Sequence, residues 1–180
     1  MLKKSSFRRI MVATLALFIL LIIYFFPTTD PIKESLSYIE KQEMPIFLVD
    51  SLEYIARTSI VQESEELESK ILEIIDTLTI ESEKANYIRD GFKGVIPKNT
   101  KVIDAKLDNG ILTINFSKEI LSVSKEMEEK MIEAITYSLL EIPDIKKISI
   151  LVEGKKLDKL PNSGKKIPEY LDKNLSLIHI

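Results

Sequence analysis

The 180-residue sequence has no cysteine and one histidine, His179, a single residue from its end. The first absence excludes disulfides, a thiolate metal site and a lipidated N-terminal cysteine, and leaves the redox compartment open. A lone terminal histidine does not support a Ser-His-Asp triad or an imidazole metal centre. No GxGxxG or P-loop pattern occurs, so no dinucleotide or phosphate cradle is indicated. With no acid, base and nucleophile to name together, the expectation is a non-enzymatic protein without metal or cofactor. Positive charge is also scarce where nucleic acid would need it. The net charge is −3, but Lys3, Lys4, Arg8 and Arg9 give the first 26 residues four positives and no acid. The remainder holds 21 basic against 28 acidic residues, a net of −7. A surface of that sign is a poor match for phosphates, which excludes a nucleic-acid partner.

What is present divides the chain. At 45% hydrophobic and 29% charged the composition is globular, and the length suits one membrane segment plus one domain. Residues 1–9 form a basic N-terminus. Ile10–Phe26 is 17 residues without a charge, about 26 Å as a helix and slightly short of a ~30 Å hydrocarbon core. The stems of Arg8 and Arg9 can extend it by snorkelling. It ends in Tyr24-Phe25-Phe26-Pro27 rather than small residues, so it reads as an uncleaved single-pass anchor rather than a signal peptide. The positives precede it and Asp30, Glu34, Glu40 and Glu43 follow, which predicts a cytoplasmic N-terminus and an extracytoplasmic remainder. Residues 27–44 are a linker in which 32–41 form a helical turn or two. Residues 45–160 form the domain and 161–180 a C-terminal tail with little clear order.

Inside the domain, Pro45–Asp50 reads as a buried strand with Tyr54–Val61 as its partner, although Tyr54–Ala56 also suits a helix. Glu63–Leu78 reads as a helix capped by Ser64, with Leu67, Ile71, Ile74, Ile75 and Leu78 as its apolar stripe. Glu63, Glu65, Glu66 and Glu68 then form a solvated face. Residues 79–90 are polar loop with a helical piece. Asn109-Gly110 separates Lys101–Asp108 from Ile111–Phe116 and predicts a two-residue hairpin turn. That turn pairs Leu107 with Leu112, Ala105 with Ile114 and Ile103 with Phe116 on one face, and turns Val102 to the other. Ser122–Leu140 reads as a second helix capped by Ser122 or Ser124. Its core stripe is Met127, Met131, Ile135 and Leu139, and Glu128, Glu129 and Lys130 mark its wet side. Ile148–Val152 is a β-branched strand ending at Gly154. The fold class is therefore α/β of the α+β kind, two helices packed on a short mixed sheet.

The run Gly91-Phe92-Lys93-Gly94-Val95-Ile96-Pro97, then Asp108-Asn109-Gly110 with Thr113-Ile114-Asn115-Phe116-Ser117, resembles the GerMN domain of bacterial sporulation and spore-germination proteins. Ala134–Leu139 and Val152-Glu153-Gly154-Lys155-Lys156 fit the same pattern, which covers roughly 45–160. One copy is present, and Asn115 stands where an acid is often found. The resemblance implies a compact module that assembles with itself or an envelope protein, without a known active site. Its signature positions Gly91, Pro97, Gly110, Ser117 and Gly154 are expected to serve the backbone. Lys155, Lys156, Lys165 and Lys166 are a possible contact for an anionic cell-wall polymer. Leu160-Pro161-Asn162-Ser163-Gly164 looks like a sorting motif, but Lys165-Lys166-Ile167-Pro168-Glu169 follows where an apolar span would be needed.

Overall fold

The computed structural model describes residues 4–25, 43–81 and 91–174. They belong to two units, one within the first 40 residues and one from Lys41 onward. The expected helical turns at 32–41, the stretch 82–90 and the end of the chain with His179 lie outside the described residues. In the first unit, α1 (Lys4–Phe25) is one helix of 22 residues. Met11, Val12, Leu15, Leu17, Phe18, Ile19 and Leu20 are all exposed, so its apolar surface runs round the whole circumference. Thr14 donates its hydroxyl to the Met11 carbonyl at 2.9 Å. Among the described residues no helix is long and apolar enough to cross a membrane. Lys4, Arg8 and Arg9 occupy the first turns of α1 and shorten its charge-free part.

The second unit begins with the hairpin of β1 (Glu43–Val49) and β2 (Ile55–Val61). Its turn is held by Asp50, whose carboxylate accepts the Leu52 and Tyr54 amides at 2.9 Å each. Tyr54–Ala56 is thus turn and strand rather than helix. After α2 (Leu67–Leu78) come β3 (Val102–Asp108), β4 (Ile111–Phe116), α3 (Glu128–Leu139), β5 (Lys147–Val152) and β6 (Lys155–Lys156). The four later strands form the mixed sheet in the order β3-β4-β5-β6, with β4 and β5 parallel and the other pairs antiparallel. β1 and β2 form a separate two-stranded sheet, a division not visible in the strand pattern.

The β3–β4 hairpin turns on Asn109 (φ 49°) and Gly110 (φ 80°), both in the left-handed region that a two-residue turn of this hand requires. Leu107 opposes Leu112 and Ala105 opposes Ile114, as the turn predicts. Farther out the register changes. A bulge between Val102 and Asp104 places Val102 opposite Phe116 and leaves Ile103 51% exposed. The cause lies one residue beyond. Lys101 and Ser117 exchange two bonds, Ser117 amide to Lys101 carbonyl at 2.9 Å and Lys101 amide to Ser117 Oγ at 3.0 Å. That closure is one residue out of step with the turn, and the bulge absorbs the difference.

The helices start later than their candidate caps suggest. α2 is preceded by Glu66, not Ser64, and α3 by Met127, and neither residue makes a side-chain capping bond. The Ser122 hydroxyl instead donates to the Glu119 carbonyl at 2.7 Å within a 3-10 turn over Lys118–Ser122. The stripes themselves hold: Ile71, Ile74, Ile75 and Leu78 are buried on α2, and Met131, Ile135 and Leu139 on α3. Glu63, Glu65, Glu66 and Glu68 are exposed. The wet side of α3 is the correction. Glu128 is fully buried, Glu129 and Lys130 are half-buried, and Glu133, Thr136 and Ser138 are buried too. α3 packs on β1, β2 and α2, and it shares one core with the inner side chains of β4 and β5, among them Leu112, Ile114, Phe116, Ile148 and Ile150. A crossover between parallel strands lays its helix over the sheet, and the first hairpin then closes over the rest.

Two further segments complete the core. Along 91–97 the chain runs against the end of α2, where the Val95 and Ile96 amides both donate to the Leu78 carbonyl at 2.7 and 2.9 Å. At the other end, Leu171 is buried and exchanges bonds of 2.9 and 2.8 Å with Ile148, so the chain returns to the edge of β5 at Leu171. The crossing at 91–97 depends on Gly94, because a Cβ there would lie 2.6 Å from the Thr79 carbonyl oxygen. The next atoms, Thr79 C at 2.7 Å and Ile80 N at 2.9 Å, are backbone as well, so none can swing aside. Gly94→Ala is expected to destabilise the domain by about 1–3 kcal/mol, read as a lower urea midpoint at unchanged slope.

Candidate functional site

Among the described residues no group of three or more His, Asp or Glu side chains is placed to hold a metal. The signature positions converge on backbone junctions. Ser117 is buried, and its hydroxyl oxygen accepts the Lys101 amide at 3.0 Å. Two residues earlier, Asn115 Oδ1 accepts the Gly154 amide at 2.9 Å. Glu153 answers from the other strand, accepting the Lys118 amide at 3.0 Å through its carboxylate and donating its own amide to the Phe116 carbonyl at 2.9 Å. Glu153 (φ 49°) and Gly154 (φ 75°) form a two-residue turn into β6, so Gly154 is a hairpin position rather than a plain strand exit. Asn115-Phe116-Ser117 therefore ties together the ends of β3, β4 and β5. Gly110 also receives the Lys146 and Lys147 amides on its carbonyl, at 2.8 and 3.1 Å. Pro97 is buried and its carbonyl accepts the Thr100 hydroxyl at 2.7 Å, while Gly91 (φ 100°) is exposed with open space around it.

The four lysines have separate surroundings. Lys165 donates to Glu129 at 2.9 Å, and Lys156 lies 3.6 Å from Glu169. Lys155 and Lys166 are exposed. Lys156 also sits over the Tyr170 ring, 5.6 Å from its centroid, and Lys147 approaches the same ring at 5.7 Å. The Leu160–Gly164 stretch is a tight turn rather than a sorting signal. Both oxygens of Glu128 accept from it, Oε2 from the Asn162 amide and Oε1 from the Ser163 amide, each at 2.8 Å. Among the described residues of the second unit, the two most exposed large apolar side chains lie elsewhere, at the tip of the first hairpin, where Leu52 and Tyr54 are 73% and 70% exposed.

With this geometry the comparisons are unambiguous. A family model described as "Germane: Sporulation and spore germination" matches residues 23–158. The chain belongs to the GerMN family. Over 130 residues it is 28% identical to the spore germination protein GerM of Bacillus subtilis (strain 168), covering 71% of this chain and 34% of that protein. The chain thus spans about a third of the length of that curated relative. Its fold is similar to the tandem GerMN domains of the sporulation protein GerM from Bacillus subtilis, with a TM-score of 0.69 at 22% identity over 74% of this chain and 46% of that one. The first GerMN domain of the same protein gives 0.68 at 22% identity, over 74% of this chain and 98% of that domain. In this GerMN domain Asn115 needs only an acceptor oxygen for Gly154, which an amide supplies as well as an acid.

Two carboxylates in the junctions have lowered pKa values. Burial alone would raise Glu128, but the Ser163 hydroxyl and the Asn162 and Ser163 amides outweigh it and hold the carboxyl below the usual glutamate range. Glu119 is held down first by the Ser117 hydroxyl and then by its own amide. A depressed folded pKa adds stability that is complete above the unfolded value and is lost as pH falls through the folded one. Glu128→Gln is expected to cost about 1–3 kcal/mol at neutral pH and to flatten the loss of stability below about pH 4.3. Urea unfolding at a series of pH values reads both effects; an acid limb as steep as the parent's would assign it to other groups.

Proposed function

We propose that this GerMN-domain protein is a membrane-anchored, extracytoplasmic contact module that works without chemistry of its own, in sporulation, germination or cell-envelope assembly. One observation carries this reading. Asn115, Ser117 and Gly154 are engaged in hydrogen bonds between strand ends, while large apolar side chains stand exposed at Leu52 and Tyr54. A rigid turn presenting a tyrosine and a leucine is suited to anchoring in a partner's pocket, because little ordering remains to be done on binding. The partner is a second copy or another envelope protein. The anchor is α1: its apolar side chains face outward all round, Thr14 satisfies its own hydroxyl, and four positives precede a charge-free run. That charge asymmetry supports a cytoplasmic N-terminus and a displayed domain.

A second reading, cell-wall glycan binding, is favoured by one feature. Tyr170 is 40% exposed and has the ammonium groups of Lys147 and Lys156 beside it, a combination suited to stacking on a sugar ring that bears a carboxylate. Pull-down on purified cell wall separates the two. Glycan binding requires retention that falls severalfold in a Lys147→Glu, Lys156→Glu variant.

The contact reading is tested in cells. Protease added outside should digest the domain of the intact protein, and crosslinking should recover an envelope partner or an oligomer. A Leu52→Asp, Tyr54→Asp variant should keep its unfolding free energy within about 0.5 kcal/mol, as expected of exposed positions, and lose those crosslinks. A protected domain would refute the display, and crosslinks unchanged in that variant would refute the hairpin tip.

A further inference from the structure

The two sheets have four outer edges, of which two are covered and a third is guarded by a bulge and charges. The free side of β1 faces α3 and the 91–97 segment: the Phe47 amide donates to Ser138 Oγ at 2.9 Å, and Val49 exchanges bonds with Lys93. The free side of β5 is taken by β6 and Leu171. β3 is bulged at Ile103 and carries Asp104, Lys106 and Asp108, the usual defences of an exposed edge. β2 has no such defence. It is seven residues long with one charge, Arg57, and among the described residues no backbone group pairs with its outer side.

The hydrogen-bond parity of the hairpin says which groups point outward. Phe47 and Val49 turn their amides away from β2, so their partners Arg57 and Ile55 belong to pairs that exchange no ladder bonds. By alternation the same holds for Ser59, opposite Pro45, and Val61, opposite Glu43. Pro45 fits this parity, since its missing amide would have faced away from β2. Ile55, Arg57, Ser59 and Val61 therefore aim both N–H and C=O at the open side.

We infer that β2 pairs with β2 of a second copy, antiparallel about a two-fold axis at Thr58, giving a continuous sheet β1-β2-β2-β1. Only that register uses every outward group. It sets Ile55 against Val61 of the other copy and Arg57 against Ser59, all as hydrogen-bonded pairs, with Thr58 facing Thr58 at the axis. A two-fold centred on Arg57 would oppose two arginines, and one centred on Ser59 would leave Ile55 unmatched. The Thr58-centred arrangement opposes no like charges and joins two apolar pairs. The inference rests on the contact reading and deepens it by naming the partner as the chain itself and extending the surface from the hairpin tip along the adjoining β2 edge.

The absence of native cysteine makes the test clean. Facing Thr58 residues would stand in a pair without ladder bonds, about 4.5 Å between Cα atoms, within reach of a disulfide. Purified full-length Thr58→Cys should oxidise to a covalent dimer, and Asp104→Cys on the guarded β3 edge should not. Ser59→Pro removes an outward amide without breaking a ladder bond of the hairpin, losing there only the exposed Ser59–Glu43 side-chain bond of 3.0 Å, and should raise the dimer dissociation constant by about tenfold or more in sedimentation equilibrium. Ser59→Arg, on an exposed position, opposes Arg57 in both pairs and should raise it by about two- to tenfold. A monomeric parent chain overturns the inference, as does a dimer unaffected by both Ser59 variants or one in which Thr58→Cys fails to crosslink. A monomer that still yields crosslinks to a different envelope protein in cells removes this pairing alone and leaves the contact reading standing.

Discussion

The organisation of the domain follows from the burial of α3. A helix enclosed by a hairpin, another helix and a sheet must have every polar side chain answered, because an unmet buried group costs about 1–3 kcal/mol. Its answers reach in three directions. Thr136 returns its hydroxyl to the Ile132 carbonyl at 2.7 Å, within the helix. Ser138 takes the Phe47 amide and fixes β1 against the helix. Glu128 takes the amides of Asn162 and Ser163 and fixes the turn that follows β6. Two of the three side chains thus position segments distant in sequence, and the core can close only when they do.

This arrangement explains what was legible in the residues and what was not. Local chemistry was readable. Asn109-Gly110 determined the turn and the two pairs beside it, and the 3.6-residue spacing identified the buried stripe of α2. The failures share a cause, since each depends on a contact made far along the chain. The bulge that exposes Ile103 answers to Ser117, and no pattern inside β3 marks it. Glu128, Glu129 and Lys130 look like a solvated face, because polarity alone does not distinguish a residue meeting water from one meeting two amides. Neither Ser64 nor Ser122 caps a helix, although both have the residue type and position for it. Gly94 differs from the other four glycines in having no positive φ and in the close passage of Thr79, neither of which the sequence announces.

The signature takes on a different meaning once its bonds are known. Asn115, Ser117 and Glu153 are polar residues at strand ends, a place where catalytic groups are often found. Here one side-chain oxygen of each meets a backbone amide at a neighbouring strand end or turn, at 2.9 to 3.0 Å. Their restricted geometry secures the outline of the sheet, and at Asn115 the bond to Gly154 needs an acceptor rather than a charge. Likeness of fold to other GerMN domains is then maintained by joints, while partner choice can vary on surfaces outside them.

That separation bears on how a weak contact can matter. Pairing of one seven-residue edge is a small interface, of the kind that is marginal between freely diffusing molecules. A helix that confines the chain to a surface changes the arithmetic, since tethered partners meet at an effective concentration far above their bulk value. If α1 anchors the chain as proposed, the linker after it sets how often two β2 edges meet, and the edge itself sets only the register in which they join. The rigidity of the domain then serves the contact: with α3 holding β1 and β1 holding β2, the open strand is presented in one conformation and little ordering remains when a second copy arrives.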